Sequence, residues 1–121
     1  MATVLVNTGK AIVTNRIKGA GTEPVYLGWG TGAGTAAVTD TTLFTETGSR
    51  ATGTSTQQTT STTNDTYQVV GTLTAAGSLA ITNAGLFDAS TSGNLFVKGD
   101  FSTINLSTGD SIQLTFKTQF S

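Results

Sequence analysis

The side chains able to do chemistry in this chain are few. Seven carboxylates are present, with no histidine and no cysteine beside them. A glycosidase needs only two carboxylates across a glycosidic bond, and Glu46, Asp88, Asp100 and Asp110 are the candidates. No spacing among them compels a pair, so no catalytic residue is assigned. The missing residue types exclude more. Without Cys or His there is no disulfide framework, no Cys/His zinc site, no thiol nucleophile and no Ser-His-Asp triad.

Two short motifs invite a ligand. Asp88-Ala89-Ser90-Thr91-Ser92-Gly93-Asn94 has oxygen-bearing residues at its first, third and fifth places and glycine at the sixth, as at the front of a calcium loop. The acidic residue required at the twelfth place is Gly99, however, and two ligand places are neutral serines. A hairpin loop is expected instead, and no metal or cofactor. Gly28-Trp29-Gly30-Thr31-Gly32-Ala33-Gly34 places glycine at every second residue. It therefore lacks both the G-x-G-x-x-G fingerprint and the G-K-[ST] of a phosphate loop, and reads as a bend packed closely on a neighbouring strand. Asn64-Asp65-Thr66 and Asn105-Leu106-Ser107 match the glycosylation sequon. Trp29, Tyr26, Tyr67 and most of the six Phe fall in the core by alternation. An exposed aromatic among them would mark a binding surface.

Composition says what must position these groups. The 121 residues suit one domain, expected over 1–121, with a single thin core. Apolar residues are 36% and charged residues 11%, each well below the usual share. Thr, Ser and Gly fill 52 of the 121 positions, 27 of them Thr. With a net charge of −1 and a polar bulk that is β-branched, the chain reads as β-sheet rather than disordered coil. Six Lys plus Arg form no cationic surface, so no nucleic-acid partner is expected. No apolar run reaches the ~20 residues of a membrane span. The first ten residues lack the basic start and apolar stretch of a signal peptide, so synthesis in the cytoplasm is expected.

Along the chain, residues 1–6 read as a strand or arm. A helix of about ten residues follows, with Asn7 or Thr8 as N-cap, Val13 and Ile17 on one face, and Gly19 at its end. From there the pattern is strands and turns. Strands are expected at 25–29, 66–74, 79–87, 94–101 and 110–120, and Asp40 is expected to cap a single turn over 40–44. In the last strand Ile112, Leu114, Phe116, Thr118 and Phe120 alternate with Gln113, Thr115, Lys117 and Gln119, a period of two with one wet face. Residues 52–66 hold eight Thr and one charge, Asp65. They suit a Thr-rich surface hairpin, a flexible linker, or a strand completed by another chain. The fold expected is all-β: a single antiparallel β-sandwich, jelly-roll-like, with one short N-terminal helix.

Three segments resemble a family of small tailed-bacteriophage virion proteins and fibre-associated domains. They are Asn7-Thr8-Gly9-Lys10-Ala11 through Gly19; Val25-Tyr26-Leu27-Gly28-Trp29-Gly30-Thr31-Gly32 with Asp40, Leu43, Glu46 and Arg50; and Thr82-Asn83-Ala84-Gly85-Leu86-Phe87-Asp88-Ala89 with Gly93-Asn94-Leu95-Phe96 and Gly109-Asp110-Ser111-Ile112. The resemblance implies a virion structural protein without catalysis. It is similar both to capsid decoration (cement) proteins and to the attachment end of tail fibres. Because fibre proteins usually continue into repeats and a receptor-binding tip, the decoration role is preferred. The partner implied is the major capsid protein, the oligomer a homotrimer, and the location the capsid exterior. A tail-fibre or baseplate module with carbohydrate or host-receptor binding is the alternative.

Overall fold

A computed structural model describes residues 3–121. The elements run β1 (Thr3–Leu5), α1 (Asn7–Lys18), β2 (Tyr26–Gly30), β3 (Glu46–Thr52), β4 (Thr54–Gln58), β5 (Thr66–Thr74), β6 (Leu79–Phe87), β7 (Leu95–Leu106) and β8 (Ser111–Gln119). All strand pairs are antiparallel. They build a five-stranded sheet in the order β1-β7-β6-β2-β3 and a three-stranded sheet in the order β4-β5-β8. The architecture is thus the all-β sandwich with one short helix. Residues 1–2 of the expected arm lie outside the described residues; Thr3–Leu5 is a strand paired with Val97, Lys98 and Gly99 of β7.

The core between the sheets follows from alternation. Leu27 and Trp29 of β2, Val69 and Leu73 of β5, and Ile81 and Leu86 of β6 are all buried there. Each such side chain contributes roughly 1.5–3 kcal/mol on burial. The five-stranded sheet also has a covered outer face. Residues 31–45, most of them without regular structure, lie across it and bury Leu43 with Val6, Phe87 and Leu95 in a second, smaller cluster.

Several expectations are corrected. Neither Asn7 nor Thr8 caps the helix by its side chain. Val6 holds the N-cap position, the Asn7 N–H donates to the Val38 carbonyl (2.7 Å), and the Thr8 hydroxyl donates to the Leu95 carbonyl (2.7 Å). Tertiary acceptors have replaced local ones. Gly19 does end the helix, at φ 95°. Val13 packs on the core, but Ile17 is 81% exposed; the helix face that docks carries Gly9 and Ile12 instead.

The single turn expected over 40–44 does not form. Asp40 closes the preceding turn instead, its carboxylate accepting from the Ala37 N–H (2.9 Å). The Thr-rich stretch is a hairpin of β4 and β5, and β3 and β4 are separated at Gly53. β7 extends to Leu106, further than the alternation of residues 94–101 indicates, because β6 pairs with it along that length.

Candidate functional site

Residues 88–94 are the hairpin loop between β6 and β7, and Asp88 accepts from the Asn94 N–H (2.7 Å). The loop already holds a cation of its own. Arg50 Nη1 donates to the carbonyls of Ala89 (2.8 Å) and Ser92 (2.6 Å). Its Nε and Nη2 donate to Glu46 Oε2 (2.7 Å) and Oε1 (3.0 Å), and its guanidinium lies 3.4 Å from the Phe87 ring centroid. The Arg50 side chain is only 7% exposed.

Local sequence explains how Glu46 and Arg50 come to share a face. The β2–β3 register shifts between Leu27 and Trp29, with Gly48 at φ 74°, so β3 bulges opposite Gly28. A side chain at Gly28 would strike the Glu46 carboxylate (2.8 Å from an ideal Cβ). A larger residue there would push the Glu46 carboxylate out of its pairing with Arg50.

A second buried cation lies under the 31–45 covering. Lys98, 1% exposed, donates to Asp40 Oδ2 (3.0 Å) and the Thr42 carbonyl (2.9 Å), with Nζ 3.2 Å from the Phe44 ring centroid. Asn83 donates to the Phe44 carbonyl (3.0 Å) and accepts from its N–H (2.9 Å). Partial burial works to raise the Asp40 carboxyl, but the Ala37 N–H and the Lys98 ammonium outweigh it and hold it below the ordinary range. The glycine-rich bend packs on the same segment: Thr31 N–H donates to Thr45 O (3.1 Å) and Gly32 N–H to Phe44 O (3.0 Å).

The other carboxylates are also structural. Asp110 accepts from the Ser107 N–H (2.8 Å) and Asp100 from the Ala36 N–H (2.7 Å). Half-buried Asp65 accepts from the N–H groups of Thr62, Thr60 and Ser61, which hold its carboxyl well below the carboxylate range. Glu23 accepts from the Tyr67 hydroxyl (2.9 Å). Burial, then that hydrogen bond and the Glu23 charge, push the phenol above its ordinary range. Among the described residues no three acidic groups gather where a metal ion could be held, and no helix is long and apolar enough to cross a membrane.

A groove of about 580 Å³ opens between the sheets. Thr3, Val4 and Leu5 of β1 form one wall and residues 114–119 of β8 the other, with Ala84, Val97 and Phe101 between them. Sequence reasoning identified the alternation of β8 but not this gap. The inward side chains Ile112, Leu114 and Phe116 are only half-buried, whereas Val69 and Leu73 on the adjoining β5 are buried. A smaller groove of about 350 Å³ lies beside α1, lined by Ile12, Ile17, Tyr67, Phe96 and Phe120 among others. Phe120, which alternation sets on the inward face of the last strand with Leu114 and Phe116, is instead 44% exposed just beyond the end of β8; Trp29 is 2% exposed.

The polar clusters are thus internally hydrogen-bonded, and the gap between β1 and β8 sets a sheet edge beside an apolar trough. No protein-family model, curated protein or solved structure matches this chain.

Proposed function

We propose that the chain is a non-enzymatic virion structural protein of a tailed bacteriophage, a decoration (cement) protein. It binds and stabilises the major capsid protein lattice on the capsid exterior, as a homotrimer. The class comes from the resemblance of its three segments. One structural observation supports it: the sandwich is unsealed between β1 and β8, leaving a nine-residue edge strand, Ser111–Gln119, with a single charge, Lys117. Monomeric proteins usually blunt such edges with several charges, prolines, bulges or a covering segment. An unguarded edge beside an apolar groove suits a protein whose working state is an assembly.

The mechanism is adhesive. Repeated weak contacts become durable when many copies engage one lattice. A surface of Thr, Ser and Gly with few charges makes that adhesion little dependent on salt. A trimer suits quasi-threefold lattice positions.

Imaging of purified virions carrying the protein tests the reading. Many copies over the capsid shell, with reduced heat resistance after the protein is stripped, are the expected result. A handful of copies confined to the tail would replace it with the tail-fibre or baseplate reading.

A further inference from the structure

We propose that the gap between β1 and β8 takes one extended strand of a partner chain, hydrogen-bonded along the free edge of β8. This deepens the assembly reading and rests on it for the existence of a partner. The capacity of the gap to accept a strand is measurable separately.

Backbone register identifies the groups on offer. The Phe120 N–H donates to the Asp65 carbonyl (2.9 Å), and the Ala75 N–H to the Asp110 carbonyl (2.8 Å). Between these two points β8 runs against β5 without a register shift, from Thr66 opposite Gln119 to Thr74 opposite Ser111. Hydrogen-bonded and non-bonded pairs alternate in an antiparallel ladder, so the even-numbered residues of β8 bond to β5. Ser111, Gln113, Thr115, Lys117 and Gln119 therefore turn their N–H and C=O groups to the open edge.

Side chains agree with the backbone. The inward face of β8 is half-buried because the three-stranded sheet stops there, while the five-stranded sheet continues beneath the gap as β7 and β1. A strand laid beside β8 would place alternate side chains onto Val97, Phe101, Leu114 and Phe116.

The occupant is a single strand rather than a whole sheet edge. β1 stands on the far side of the gap, and a second sandwich docked edge to edge would bring its own five-stranded sheet against it. The recognising chemistry is an extended segment, apolar at alternate positions facing the groove. It is polar outward, with an acidic residue opposite Lys117.

A labelled synthetic peptide of residues 110–120 serves as the probe, with a scrambled control. It carries the required alternation and, paired antiparallel about Thr115, sets its Gln113 against Lys117 rather than Lys against Lys. The full chain should bind it saturably in fluorescence anisotropy, and a peptide bearing Gln113→Glu should bind more tightly. In the protein, Thr115→Pro removes an outward N–H from an exposed edge position where proline is tolerated. That variant should keep its circular dichroism and melting temperature while losing roughly tenfold or more in affinity.

Absent binding by the folded chain, or equal binding by Thr115→Pro, overturns the proposal. Sedimentation showing that the chain pairs with itself through β8, and that Thr115→Pro abolishes this pairing, also overturns it by making a second copy the occupant. Strand binding without any capsid location would instead leave the inference standing and remove the decoration role.

Discussion

The two long sides of the sandwich are made from similar residues and end differently. On one side the chain closes the gap itself. β3 leaves the five-stranded sheet at Gly53 and continues as β4 in the three-stranded one. Arg50 ties that corner to Glu46 and to the 88–94 loop, stacked on buried Phe87. On the other side β1 and β8 face each other across open space. No arginine clamps this side, and β8 offers hydroxyls, amides and one lysine. Closure through covalent continuity confines one side to a structural role, while the unsealed side is free to make contacts.

Paired core truncations test that contrast most strongly. Phe87→Ala, beneath the Arg50 guanidinium in the smaller cluster on the covered outer face, should cost about 3–5 kcal/mol in urea unfolding, the usual price of removing a fully buried aromatic. Arg50→Met comes next, at about 2–3 kcal/mol, because Glu46 and the carbonyls of Ala89 and Ser92 lose a charged donor. Amide exchange should then rise in the 88–94 loop and leave the β5–β8 ladder unchanged. Phe116→Ala on the open side should cost only about 1–2 kcal/mol, since it is only partly buried. A Phe116→Ala loss equal to that of Phe87→Ala would mean that the gap is as tightly packed as the core, and the contrast would fail.

The smallest expected effect is a titration beside the α1 groove. Tyr67 has its phenol pKa raised above the ordinary 10.0 by burial, then by Glu23. The unfolded chain ionises first as pH rises, so the tyrosine's contribution is complete below pH 10 and is lost above it. Tyr67→Phe should remove that alkaline limb and cost about 1 kcal/mol at neutral pH for the Glu23 hydrogen bond. A variant that unfolds as steeply above pH 10 would place the titrating group elsewhere.

Much of the architecture was legible in the residues. The bounds of β5 and β6, the alternation of β8, the Gly19 helix end and the hairpin loop at 88–94 all follow from period, glycine placement and turn chemistry. The two buried cations were not. Lys98 lies between Val97 and Gly99 on a strand where alternation alone makes it an outward, solvated residue. It is buried because residues 31–45 fold back over that face. Arg50 stands two residues before the Thr-rich stretch with nothing local to mark it. The β3 bulge brings Glu46 to it locally, but its loop partners lie about forty residues away, a separation that no local pattern encodes.

Local periodicity, turn chemistry and the absence of Cys and His thus determined the fold class, most strand positions and the chemistries that are impossible here. These properties depend on neighbours within a few residues. Tertiary structure alone decided which polar groups are satisfied and where the sandwich stays open. Both depend on how many strands each sheet receives and which face a distant segment covers, and those pairings are set by long-range packing rather than by local sequence.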